Sequence, residues 1–338
     1  MIFNKNSGIK GLLLSLLPLA AFAYEGFIES TAPVNPWFTG PLITTSGNIT
    51  PRGHWNIEPY VFATATTGYY KNDWTAEAEN TLWSLQWRLP TYVGLARWVD
   101  VQFVPIWHWK YRENRAQWSL GDMRLQFDFQ LYSNPLPHKN WIPSIKLIIR
   151  ETIPTGKYRN LDLPKKGTDA GGNGTWLTSI HLAMSRIFPL SEDHFFDARF
   201  NFQYGIPTPV HVKGFNVYGG GLGTNGTIYP ERICSTSFGF QYSFNRNWAL
   251  ACDAVGQFNS KTRFRGNPGI DQSASADSNA SLLAATNERE ASIQYSLAPA
   301  IEYNWSEKLG LIAGCWLTIA GKNSRKFTSG VIALNYSD

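Results

Sequence analysis

Ser179 and His181 are the closest approach in this 338-residue sequence to a nucleophile with its base. They lie two apart in a stretch that alternates apolar and polar residues, so both belong to the polar face of one strand. Side chains so spaced are about 6 to 7 Å apart, beyond the ~2.6 to 3.2 Å that a nucleophile and its base require. No third residue marks itself as an orienting partner, so no catalytic site is assigned. Metal chemistry finds no better support. The six histidines are scattered, and no Cys or His pair has ligand spacing. Gly219-Gly220-Gly221, with Gly223 and Gly226, lacks the Lys-Ser/Thr and following helix of a phosphate cradle and reads as flexible loop. Cys234 falls in register with Phe238 and Phe240, Cys252 with Leu250, and Cys315 with Leu311 and Leu317. All three read as small hydrophobes facing lipid rather than as a disulfide or a metal site. No cofactor is expected.

The remaining chemistry-bearing residues are charged groups on the polar faces of alternating stretches. Over 122–131, Met123, Leu125, Phe127, Phe129 and Leu131 alternate with Asp122, Arg124, Gln126, Asp128 and Gln130. Over 196–206, an aromatic-rich face opposes Asp197, Arg199, Asn201 and Gln203; over 83–89, Trp83, Leu85, Trp87 and Leu89 oppose Ser84, Gln86 and Arg88. Period two is the mark of a strand with unlike faces. Read this way, the chain holds about twelve strands, near 55–67, 81–90, 98–111, 120–132, 141–154, 175–188, 195–207, 228–244, 247–258, 290–304, 309–321 and 326–337. Most are close to the ~9 to 11 residues that cross a bilayer at a tilt, whereas soluble strands run ~5 to 6.

The connections alternate in length. Long polar stretches at 67–80, 155–174, 208–227 and 259–289 follow odd strands; tight links at 94–97, 133–140, 189–194, 245–247 and 305–308 follow even ones. A transmembrane barrel with both termini in the periplasm has that asymmetry; a Greek-key sandwich has no reason to show it. The expected fold is therefore all-β: a transmembrane antiparallel up-and-down β-barrel of about twelve strands, with short periplasmic turns and long extracellular loops.

Composition agrees. Charged residues are 16% of the chain, below the roughly 25% of soluble domains, and Trp98, Trp107, Trp109, Trp141, Trp176, Trp248, Trp305 and Tyr336 sit near strand ends, where interfacial aromatic girdles belong. The polar face uses Asp, Arg, Gln, Asn and Ser rather than the Lys and Glu of soluble surfaces, which suits a wet lumen.

Residues 1–23 read as an export signal: Lys5 and Lys10, an apolar run over 11–20, and Ala21-Phe22-Ala23 for cleavage. The run is too short for the ~20 residues of a spanning helix. Removing two lysines and no acid lowers the formal charge from +5 to +3, too balanced to argue for nucleic acid. Residues 24–53 carry Pro33, Pro36, Pro41 and Pro51. That is too many for a central strand, and the segment is either a periplasmic lead-in or a plug in the barrel mouth. Residues 54–338 form the barrel. Its surroundings are outer-membrane lipid and lipopolysaccharide, with Lys165-Lys166 and the basic stretch 261–265 placed in external loops where they either meet lipopolysaccharide phosphates or are simply solvated.

The interior is the one informative site. Arg88, Asp100, Asp122, Arg124, Asp128, Lys146, Arg150, Asp197, Arg199, Gln203, Asp253 and Glu302 all fall on polar faces and are expected to line a path for a small-molecule permeant. Hairpin geometry predicts that Asp128 meets Lys146, Asp122 meets Arg150 and Arg88 meets Asp100. Opposed charges across a lumen orient small polar or zwitterionic solutes. A filled interior stays open as the alternative, because ~8-stranded barrels are packed and ~16-stranded ones are not.

Several short motifs carry a resemblance. They are Phe38-Thr39-Gly40-Pro41-Leu42, then Pro51-Arg52-Gly53-His54-Trp55-Asn56-Ile57-Glu58-Pro59-Tyr60, Gly121-Asp122, Pro154-Thr155-Gly156-Lys157 and Gly321-Lys322-Asn323. In order and spacing the chain resembles the outer-membrane protein family of the meta-pathway of phenol degradation. The resemblance implies a barrel that passes aromatic or other hydrophobic small molecules. The competing reading is a non-conducting barrel whose long external loops act in adhesion or partner binding.

Overall fold

The computed structural model describes residues 37–136, 138–271 and 284–338. The predicted export signal, residues 24–36 of the Pro-rich segment and part of the 259–289 connection lie outside the described residues.

Alternating apolar and polar residues can satisfy their backbone in lipid only if the sheet closes on itself, and it does. The wall is a closed antiparallel barrel of twelve strands. Its first four strands are each made in two pieces: β1 (Trp55–Ile57) with β2 (Tyr60–Tyr70), β3 (Ala76–Arg88) with β4 (Thr91–Ala96), β5 (Val99–Val104) with β6 (Ile106–Arg112), and β7 (Arg115–Leu120) with β8 (Met123–Tyr132). The chain continues through β9 (Ser144–Ile153), β10 (Leu177–Pro189) and β11 (Phe195–Pro207), then leaves the wall for two loop strands, β12 (Val210–Lys213) and β13 (Asn225–Tyr229). Wall strands β14 (Ile233–Ser243) and β15 (Trp248–Asn259) precede a third loop strand, β16 (Arg263–Asn267), before β17 (Ser292–Asn304), β18 (Leu309–Lys322) and β19 (Ser324–Ser337) complete the wall. β19 closes it by pairing antiparallel with β2 and, at its end, with β1.

Prolines account for three of the four interruptions. Leu334 N–H donates to Pro59, Glu58 N–H to Pro90 and Leu89 N–H to Pro105. The reciprocal bond of each pair is missing because proline has no N–H. The three pairs lie on neighbouring strands, so the missing bonds form one line across the wall. The fourth interruption, Gly121-Asp122, sits beside Ile106, whose carbonyl accepts from Gly121 at 2.8 Å. Beyond it β7 pairs with β6 alone among the described residues, and the backbone of loop residues 170–173 lies against its free side.

The two faces are opposite in kind. Outward side chains such as Phe127, Ile149, Ile180, Phe202, Phe238, Phe240, Leu250, Ile301 and Ile332 are exposed, while inward Asp128, Asp253, Glu302 and Ser329 are fully covered. The three cysteines are free thiols, with Cys252 opposite Phe240 and Cys234 between Tyr204 and Phe258 on outward positions. Exposed Trp98, Trp141, Trp248, Trp305 and Tyr336 collect at the short-turn end, where Trp55 meets Tyr336 edge-on at 5.3 Å and Trp248 meets Tyr303 at 4.7 Å.

The loops differ from the sequence reading in two places. The wall pair β2 and β3 runs on to Tyr70 and from Ala76, leaving only residues 71–75 of the expected 67–80 loop. The glycine-rich stretch is not simply flexible. β12, β13 and β16 form a small sheet over a cluster of Val210, Val212, Tyr218 and Ile228. Gly219 packs so closely there that a Cβ would stand 2.1 Å from the Thr286 carbonyl.

Candidate functional site: the barrel interior

Residues 37–52 follow the inner circumference of the wall near its short-turn end, and the acids on the inward faces hold them there. The sequence left the place of this segment open. Thr39 N–H donates to Glu302, while Ile43 and Thr44 N–H donate to the two oxygens of Asp253 at 3.1 and 2.9 Å. Gly47 N–H donates to Ser185 Oγ at 2.9 Å, Ile49 N–H to Gln130 Oε1 at 2.9 Å and Thr50 N–H to Asp100 at 2.6 Å. The anchors come in turn from β17, β15, β10, β8 and β5, so the segment forms a collar. An extended chain lying across strands cannot use their ladders, and its N–H groups need side-chain acceptors instead. Ionised carboxylates accept such bonds most strongly. Glycine is required at closest approach: a Cβ on Gly47 would stand 2.2 Å from the Ser144 carbonyl.

Each charged residue expected in the lumen has a defined place. Asp253, Glu302 and Asp100 are collar anchors. Asp197 pairs with Arg199 at 2.6 Å, and Arg199 also reaches Gln241 and the Thr44 carbonyl, so this pair too braces the collar. Asp128 and Lys146 pair at 2.8 Å with both side chains buried, as the hairpin geometry predicts. Gln203 lines the central cavity with no structural task in evidence.

Two expected pairs do not form. Asp122 does not meet Arg150. Its carboxylate accepts from Gly156 and Asn173 N–H at 2.9 and 2.6 Å and so fastens the loop after β9, while Arg150 Nε donates to Gln126 at 2.6 Å. Nor does Arg88 meet Asp100. The strand runs past Pro90 to Ala96, which puts Arg88 opposite Ile106 and Asp100 opposite Gly94. The sequence reading ended that strand at its proline, whereas a barrel strand tolerates one as a break in the ladder.

Gln126 and Gln130 were read as polar-face residues but not as part of the expected path, and Ser185, Gln241 and Asn304 were not named, yet each takes part in these interior bonds. Their inward parity was readable. Their partners were not, because alternation says nothing about a segment that crosses the strands. Ser179 and His181 are both buried on the inward face, and no hydrogen bond joins them among the described residues. On the same inward face His108 lies 3.3 Å from Gln86.

A cavity of about 960 Å³ runs inside the wall, from the short-turn end past the collar, lined by collar residues and by Arg88, Arg124, Arg150, Lys146, Gln203, Tyr60, Phe62, Tyr92 and Val104 among others. Among the described residues, no group of His, Cys, Asp and Glu is placed to hold a metal ion.

No family model matches the chain. No curated protein matches it either. Among solved structures, an outer membrane channel from Pseudomonas putida F1 is similar with a TM-score of 0.63 at 12% identity, over 86% of this chain and 97% of that one. The translocator domain of the autotransporter NalP from Neisseria meningitidis gives a TM-score of 0.40 at 11% identity, over 86% and 89% of the two chains. A mutant of the TodX monoaromatic hydrocarbon channel gives 0.35 at 12% identity, over 86% and 91%. At these identities the likeness is one of fold: the chain is built as outer-membrane β-barrels are built.

Proposed function

We propose that the chain is an outer-membrane channel for the passive passage of small solutes, with its long loops outside the cell and its short turns and collar on the periplasmic side. The observation that carries this is the open cavity inside a wall that is apolar outside and polar inside. A barrel kept only for anchoring needs no space of about 960 Å³ beyond what the collar fills. The resemblance of its short motifs to the phenol meta-pathway family favours aromatic or hydrophobic compounds among those solutes, and Tyr60, Phe62 and Tyr92 supply aromatic surface along the cavity.

One observation favours the non-conducting reading. The loop strands β12, β13 and β16 fold on a buried hydrophobic cluster of their own, which gives the external loops a rigid platform for displaying a binding surface. Single-channel recording in planar bilayers separates the two. Steady unitary currents are expected from the purified barrel, and a preparation that inserts without passing current sinks the channel reading.

A further inference from the structure

Arg88, Arg124 and Arg150 face the cavity from β3, β8 and β9. None of them forms a salt bridge to a described residue, unlike Lys146 and Arg199. Arg88 and Arg150 spend their Nε atoms on Gln86 and Gln126, and Arg124 makes no hydrogen bond to any described residue. The acids whose charge reaches Arg124 and Arg150 are Asp122 and Asp128. Both are already engaged, Asp122 by two loop N–H groups and Asp128 by Lys146.

The three guanidiniums are close neighbours. Arg124 lies opposite Thr152, so Arg150 is its diagonal neighbour across the β8 and β9 pair, about 7 to 8 Å away. Arg88 lies opposite Ile106 and Arg124 opposite Val104. Those two arginines are therefore two strand spacings apart and offset by two residues, roughly 12 Å. Between them Val104 and Ile106 are buried, and Phe62 lies under Arg88 with the guanidinium carbon 4.2 Å from the ring centre. Tyr60 stacks beside Phe62 at 5.8 Å. Three like charges held together with no ion-pair partner of their own are unfavourable in an enclosed space. The arrangement is stabilised when an anion sits among them, and guanidinium forks fit carboxylate geometry best.

We infer that this cluster is a binding site for small organic anions, a carboxylate seated among Arg88, Arg124 and Arg150 with a flat apolar body on Val104 and Phe62. This deepens the channel reading, on which it rests, by naming the class of solute.

Benzoate, its neutral counterpart benzamide and inorganic phosphate are the probes, titrated into the detergent-solubilised full barrel by calorimetry and added during bilayer recording. Benzoate is expected to bind more tightly than either of the others, and Arg124→Gln to weaken it at least tenfold. Arg124→Lys, which keeps charge but loses the fork, should fall between. If Arg124→Gln does not fold, as shown by loss of the heat-dependent mobility shift in gels, Arg150→Gln carries the same expectation. Equal binding of benzoate and benzamide, or unchanged benzoate binding in Arg124→Gln and Arg150→Gln, overturns the site. Phosphate binding as tight as benzoate overturns the apolar half of it. Benzoate binding without ionic current leaves the site standing and removes the channel, whereas current without benzoate binding does the reverse.

Discussion

The barrel wall has two unlike parts. From β9 to β19 its eight wall strands are single unbroken runs; from β1 to β8 each of four strands is cut in two. The same alternation of apolar and polar side chains runs through both, so side-chain pattern is not what separates them. Backbone donors are. Pro59, Pro90 and Pro105 remove one N–H each from neighbouring ladders, and Gly121-Asp122 ends the ladder of the next strand. The interior divides less cleanly but in a related way. Collar-holding acids Asp253 and Glu302 stand on the continuous part, while Arg88 and Arg124 stand beside the cuts with no carboxylate partner. The continuous part supplies the anchors Glu302, Asp253 and Ser185, with Asp100 and Gln130 added from the interrupted part; two of the three unpaired arginines stand on the interrupted part, with Arg150 just across the join on β9.

The seam between the parts should be the most sensitive place in the molecule. There β8 pairs with β9, β7 has already lost its second neighbour, and Asp128 and Lys146 form a buried pair across the join. Lys146→Met leaves Asp128 charged and uncompensated, which costs about 3 to 5 kcal/mol when a buried pair is broken from one side. The expected result is a large fall in the urea midpoint for unfolding from lipid vesicles. An unchanged midpoint would mean that water reaches Asp128 freely and that the seam is no weak point.

Next in size is a test of whether the two parts meet the same surroundings. Phe127 on β8 and Phe238 on β14 both point outward from mid-strand, at 39% and 46% exposure. An arginine at either position should cost about 2 to 4 kcal/mol if lipid covers it, and refolding titrations should give similar losses for Phe127→Arg and Phe238→Arg. A tolerated Phe127→Arg beside a costly Phe238→Arg would show that the interrupted part is shielded from lipid and that the comparison extends to the outer face.

Much of this was legible in advance, for one reason: strand parity is a local property with a fixed period. It placed Phe127 outside, put Asp128, Asp253 and Glu302 inside, and gave the Asp128 and Lys146 pair from a hairpin count. The failures have a common physical origin as well. Arg88 and Asp100 were paired by placing the turn at Gly94, whereas the strand carries on past the bond missing at Pro90 and turns only after Ala96. Asp122 was assigned to Arg150, but a carboxylate beside a glycine-rich loop found the Gly156 and Asn173 amides instead. The course of the collar was out of reach, since its bonds join residues from 50 to 263 positions apart, Thr50 with Asp100 and Thr39 with Glu302 at the extremes. No periodicity records such contacts.

The smallest expected effect falls on the cuts themselves, and its smallness is informative. Pro105 accepts from Leu89 N–H at 3.2 Å but cannot donate back, which leaves the Leu89 carbonyl without that ladder bond. Pro105→Ala supplies the missing N–H, worth about 0.5 to 1.5 kcal/mol as a net hydrogen bond. The same change frees the unfolded chain, which costs about 0.4 to 1 kcal/mol. The two nearly cancel, so overall stability should move by less than about 1 kcal/mol. Local opening is another matter, because the new bond ties β3 and β4 to β5 and β6 where they now part. Amide exchange at Leu89 and Ile106 should slow while exchange in the unbroken pair β14 and β15 stays as it was. If Leu89 exchanges at the wild-type rate in Pro105→Ala, the missing donor is not what separates the two parts, and the bend must be held by the packing of Val104 and Ile106 inside the wall.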